Sequence, residues 1–166
     1  VLYLRVLMFC LPMALFSTGL SAQVASIAFG AVKADPSQPV EVTADTLDVN
    51  QADGSARFVG NVVIIQGVMR LSANNVLVIY KQDESGKTGV ERLEATGSVI
   101  LVNGPDAAEA EKAEYTIDSG TIVMTGNVLL SQATGTLTSN RLVVDLTSGT
   151  ASLSGRVKTI LNGGEN

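Results

Sequence analysis

From Val40 onward, apolar residues recur at every second position in short runs, and a spacing of two predicts strands with one buried face. Four runs share a Gly-polar-Val element: Gly60-Asn61-Val62, Gly97-Ser98-Val99, Gly126-Asn127-Val128 and Gly155-Arg156-Val157. The glycines are separated by 37, 29 and 29 residues, a beat that marks stacked, similar units. A second marker keeps the same beat. Ala44-Asp45, Ala73-Asn74, Ala110-Glu111 and Ser139-Asn140 precede their glycines by 16, 24, 16 and 16 residues. The extra eight residues sit in the second unit, in the polar, turn-forming run 81–88, which reads as a lengthened hairpin loop.

Aligned on the glycines, Ala56, Leu93, Ile122 and Ala151 stand four before, Phe58, Ala95, Met124 and Leu153 two before, and Val62, Val99, Val128 and Val157 two after. These share one parity and are assigned to the buried face, with Ile64, Leu101 and Leu130 continuing it. Around the second marker, Val42, Leu71, Ala108 and Leu137 stand two before; Leu47, Val76, Ala113 and Leu142 three after; and Val49, Val78, Tyr115 and Val144 five after. The parity flips between the two sets, which predicts a bulge or bend at the marker. Each repeat glycine falls on inward parity and has two readings: a bend between facing sheets, or a gap along the interior that leaves room for an acyl chain. Just after the first three glycines both parities turn apolar, as in Val62-Val63-Ile64-Ile65. These stretches are expected to be covered on both faces or to form a sticky edge. Neither end of the array shows a capping element, so the terminal strands are expected to offer unpaired edges that recruit another chain.

Before Val40 the pattern changes. Residues 6–32 follow Arg5 without a charge, dense in large apolar side chains up to Leu20 and in small ones thereafter. This is the layout of a secretory signal over residues 1–34, with cleavage after Ala22, Ala28 or Ala34. A retained membrane anchor competes, because 27 uncharged residues can span a bilayer, although Pro12, Gly19 and Gly30 weaken it. Pro36 and Pro39 make 35–39 a linker; the folded body is 40–161 and the tail 162–166.

Composition narrows the chemistry. The formal charge of -5, with no Lys/Arg cluster, argues against nucleic acid. With no histidine and a single cysteine, Cys10, neither a Ser-His-Asp or Cys-His pair nor a His/Cys zinc site can be built. No cofactor or metal is expected. Glu109, Glu111, Glu114, Asp45, Asp48, Asp118 and Asp145 fall on outward positions and read as a solvated face. A carboxylate pair for glycoside hydrolysis would lack an aromatic platform, since there is no Trp and only three Tyr.

The run Val40-Glu41-Val42-Thr43-Ala44-Asp45, then Phe58 to Gly67, then Leu71-Ser72-Ala73-Asn74-Asn75-Val76-Leu77-Val78 resembles the periplasmic lipopolysaccharide-transport proteins of the LptA/OstA N-terminal family. The resemblance extends over Val40 to Leu161. It implies an all-β fold: a twisted, V-shaped β-jelly roll of stacked antiparallel strand pairs with open ends. It implies a non-enzymatic periplasmic protein that shields lipid A acyl chains in an apolar groove and joins head to tail with itself. The expected partners are lipopolysaccharide, an inner-membrane export complex and an outer-membrane translocon. By position it suggests Val40, Val42, Phe58, Tyr115 and Ile117 as groove-lining residues, to which the inward parity adds Val49, Val62, Ile64, Val76, Val99, Leu101, Met124, Val128, Leu130 and Leu142. Two alternatives remain, a membrane-anchored component of the same export route and a purely structural β-solenoid polymer.

Overall fold

The computed structural model describes residues 25–30, 35, 37–50, 52, 54–82 and 84–162. Every regular element among them is a strand: β1 (Ala25–Ala28), β2 (Glu41–Thr43), β3 (Thr46–Asn50), β4 (Ser55–Gln66), β5 (Met69–Gln82), β6 (Thr88–Asn103), β7 (Asp106–Thr116), β8 (Thr121–Gln132), β9 (Gly135–Asp145), β10 (Thr150–Ser154) and β11 (Lys158–Leu161). Consecutive strands β4 to β10 pair antiparallel in chain order. β2 and β3 lie side by side along β4, β11 adds to β9, and β1 adds to the outer edge of β10.

The two sequence markers are the two sides of one corner. At each repeat glycine and at the residue after it the backbone is left-handed: Gly60 and Asn61 have φ of 81° and 46°, Gly126 and Asn127 84° and 47°. Two such residues in succession swing the strand, and the pairing register slips there, between Val59 and Val62 on β4 and between Thr125 and Val128 on β8. A Cβ on Gly60, Gly97, Gly126 or Gly155 would strike the side chain of Asp45, Asn74, Glu111 or Asn140 respectively. Asn61 Nδ2 donates to Asp45 Oδ2 at 2.8 Å and Asn127 Nδ2 to Glu111 Oε1 at 2.6 Å, which ties the corner on its outer side. The reading of these glycines as gaps along the interior is therefore wrong, because the space beside them is filled by exposed polar side chains. They are bends.

Bending divides the sheet into two layers that face each other, which closes the jelly roll. One layer holds β2, β11 and the strand halves that meet at the tight turns after Gln66, Asn103 and Gln132. The other holds β1, β3, β10 and the remaining halves. The inward parity fills the space between them: Val62, Ile64, Val76, Val99, Leu101, Ile122, Met124, Val128, Leu130 and Leu142 are all buried. The long hairpin at 81–88 extends beyond the layers as predicted, with Tyr80 to Gln82 pairing Val90 to Thr88.

Other expectations give way to what surrounds the residues. The second apolar parity after the glycines is neither covered nor at an edge. Ile65 and Ile100 are 37% and 39% exposed on the outer face of strands that are paired on both sides. Val157 is exposed, not buried, since the chain leaves the core at the last corner. The C-terminal end is not uncapped: β1 pairs with β10 from Ala25↔Leu153 to Ala28↔Thr150, and Phe29, which follows, is fully buried.

Candidate functional site

The residues assigned to a lipid groove are brought together, but as a packed interior. Tyr115 in β7, Met124 and Leu130 in β8 and Leu142 in β9 are at most 1% exposed, and Val40, Val42, Phe58 and Ile117 pack half-buried against them. Val49 departs from the expectation. It shares the inward face of β3, opposite Ala56, yet is 64% exposed, because among the described residues β3 is the last strand at its end of the layers and none lies beyond it. Leu47, opposite Phe58, is 52% exposed for the same reason.

The row of inward side chains thus emerges at one end into a hollow of about 350 Å³ lined by Val42, Thr43, Ala44, Asp45, Thr46, Leu47 and Phe58. Val42, Ala44, Leu47 and Phe58 give the hollow an apolar side, and Thr43, Asp45 and Thr46 a polar one. The opposite end is closed by Phe29 and Leu153, both buried. Phe29 and Leu47 were missing from the groove set. The alternation Ile27, Phe29 was masked by the uncharged run in which it stands, and Leu47 was legible from its parity.

Across the opening between the layers, the Tyr115 hydroxyl donates to Gln66 Oε1, and Gln66 Nε2 donates to the Gln38 carbonyl at 2.9 Å. Both Tyr115 and Gln66 are buried. Burial pushes the Tyr115 phenol up to about 12, against a smaller downward pull from its bond to Gln66. The folded state then holds a proton that the unfolded chain loses near pH 10. Stability is intact below pH 10 and falls at about 1.4 kcal/mol per pH unit between about 10 and 12. Tyr115→Phe is expected to flatten that alkaline loss in urea titrations at pH 9, 10 and 11, while costing about 1–3 kcal/mol at neutral pH through the lost donor to Gln66. Equal alkaline slopes in the two proteins would show that Tyr115 is not the responsible group.

Asp45, Asp48, Glu109, Glu111, Glu114 and Asp118 are exposed and Asp145 half-buried, as expected, whereas Asp106 is buried. Among the described residues no group of three His, Cys, Asp or Glu side chains converges on a point that could hold a metal.

The class defined by these strands is an all-β layered jelly roll of corner-bent antiparallel strands with an apolar interior between the layers. Residues 41–150 match the family model described as "LptA/(LptD N-terminal domain) LPS transport protein", and the chain belongs to that family. It is 30% identical over 156 residues to an uncharacterized protein of Rhizobium meliloti, covering 89% of this chain and 84% of that one. It is 28% identical over 125 residues to the lipopolysaccharide export system protein LptA of Escherichia coli, covering 74% of this chain and 68% of that protein. The crystal structure of LptH, described as the LptA-homologous periplasmic component of the lipopolysaccharide transport device of Pseudomonas aeruginosa, superposes with a TM-score of 0.66 at 21% identity. The match covers 78% of this chain and 99% of LptH.

Proposed function

We propose that this protein is a periplasmic lipopolysaccharide carrier that takes lipid A acyl chains between its two layers and passes them along a head-to-tail array. The observation that carries the reading is the open end, where Leu47 and Val49 stand exposed in line with a buried apolar row and beside the hollow at Val42 and Phe58. Membership in the lipopolysaccharide-transport family supports it. Each CH₂ withdrawn from water contributes about 0.8 kcal/mol, so a chain handed from one such interior to the next avoids the cost of crossing water bare. The groove supplies shielding and no chemistry. A passive groove does not set direction, which falls to the inner- and outer-membrane partners.

Mass spectrometry of protein purified from periplasm should recover bound lipopolysaccharide. Leu47→Asp, at a position already exposed, should leave the melting temperature unchanged and reduce bound lipid about tenfold or more, the equivalent of losing roughly 1.5–3 kcal/mol of leucine burial. Recovery of no lipid from the unmodified protein, or of equal lipid from the variant, would remove the carrier reading from this end of the molecule.

For export, we propose that residues 1–22 form a cleaved signal. A cut after Ala22 keeps β1 and the buried Phe29 in the mature protein, whereas cuts after Ala28 or Ala34 discard β1. Sequencing of the soluble periplasmic form should begin at Gln23; finding only uncleaved chain in the inner membrane would favour an anchored component instead.

A further inference from the structure

We propose that Ala25–Gly30 is an internal competitor for the strand edge by which protomers join, so that a protomer adds its successor only when this segment leaves β10. The inference rests on the head-to-tail reading above. β10 would otherwise present a free edge in its layer, and β1 occupies it along four residues. The segment is also held beyond the strand. Phe29 N–H donates to the Gly149 carbonyl at 3.0 Å, Gly30 N–H to Asp106 Oδ2 at 2.8 Å, and Gln132 Nε2 to the Ala28 carbonyl at 2.9 Å.

Two features make this seat a reversible one. β1 is short, with only Ile27 as a sizeable inward side chain before Phe29. Seating Gly30 also packs it against Asn103, whose side chain is fully buried with neither its nitrogen nor its oxygen hydrogen-bonded. An orphaned buried amide is a penalty relieved when water can return. The replacement is the β3 end of a second copy. Like β1, β3 lies at the outer edge of this layer, and it carries an i, i+2 apolar pair, Leu47 and Val49, left exposed at the other end of the array. Continuing each layer from copy to copy would set β3 against β10 and β2 against β11.

A reversible lock tests this. The bond from Phe29 N–H to Gly149 makes that pair, and Ile27↔Ala151 two residues away, hydrogen-bonded pairs; Ser26↔Ser152 is then a non-hydrogen-bonded pair, with Cα atoms roughly 4.5 Å apart, suited to a disulfide. The exported full chain with Ser26→Cys, Ser152→Cys and Cys10→Ser is compared oxidised and reduced by light scattering, with intact mass to confirm the bridge and the N-terminus. We expect the oxidised protein to stay monomeric at concentrations where the reduced protein at least doubles in mass. Ile27→Pro, which removes the N–H that faces β10, should assemble at lower concentration than the parent. Equal growth of oxidised and reduced forms would overturn the competition and leave head-to-tail assembly standing. Failure of every form to grow, Ile27→Pro included, would remove the assembly reading and this inference with it. A bridge that does not form, or a mature chain beginning beyond Ala28, would also overturn the inference.

Discussion

Val128→Asp is expected to unfold the jelly roll or to shift its melting temperature by well over ten degrees. Val128 is 1% exposed on β8, directly past the corner at Gly126, and faces Ser139 across the sheet. The substitution forfeits about 1.5–3 kcal/mol of valine burial and sets a carboxyl among Val99, Leu130 and other apolar side chains of the core. There it must be neutralised or exposed. The combined cost is a large part of the roughly 5–15 kcal/mol that holds a domain of this size together. The matched control is Asp145→Asn. Asp145 Oδ1 accepts from Thr147 N–H at 2.8 Å, Thr147 Oγ1 at 2.6 Å and Ser148 N–H at 3.0 Å, closing the turn into β10. An Asn oxygen accepts the same three donors, so thermal melts at pH 7 should differ little from the parent. The hydroxyl of Thr147, followed by the Ser148 N–H, holds the Asp145 carboxyl below its ordinary value. Its contribution is therefore present above the unfolded value and is lost as pH falls through the folded one, and Asp145→Asn should lose that acid dependence. Comparable damage from both substitutions at pH 7 would mean that the two faces of β8 and β9 have been assigned the wrong way round.

Parity along a strand was legible because one layer of side chains is buried throughout the middle of the stack. Ile122, Met124, Val128 and Leu130 needed only the spacing of two. Parity does not report position within the stack, however. Val49 and Leu47 obey the same alternation as Val78 and Val76, but they sit on a strand that is terminal among the described residues and are exposed. The corners were visible as two recurring markers, yet their pairing across strands was not. A glycine at positive φ leaves a sequence trace, while the reason for it, the Asp45 or Glu111 side chain lying where a Cβ would stand, belongs to the neighbouring strand. β1 was hidden for a different reason. An uncharged run of small and apolar residues satisfies both a signal and a short strand, and only the burial of Phe29 against the far end of the core separates them. The buried amide of Asn103 had no trace at all, since a polar residue before Gly104-Pro105 reads as an ordinary turn.

Thr159→Pro is expected to leave a folded protomer that no longer assembles, and Ile160→Pro, one residue on, to damage the protomer itself. The sequence alone made the two positions equivalent; the register separates them. Asn162 N–H donates to the Thr134 carbonyl at 3.0 Å, which extends the β11 ladder from Ile160↔Thr136 and Lys158↔Thr138. In an antiparallel ladder every second N–H points to the same neighbour, so Lys158, Ile160 and Asn162 donate towards β9 and Thr159 donates away from it. Among the described residues β11 pairs only with β9, so the Thr159 side is the edge a second copy would meet. Proline there removes one junction donor and places a ring where the next strand must approach; leaving the facing carbonyl unpaired costs about 1–3 kcal/mol, or a rise of roughly five- to a hundredfold in the concentration needed for association. Proline at Ile160 instead breaks the ladder that holds β11 to β9 and should lower the melting temperature as well. Light scattering over a concentration series, with thermal melts of each variant, reads both effects. Thr159→Pro protein that assembles like its parent would exclude β11 from the junction, and a parent that stays monomeric at every concentration would leave the carrier without a bridge.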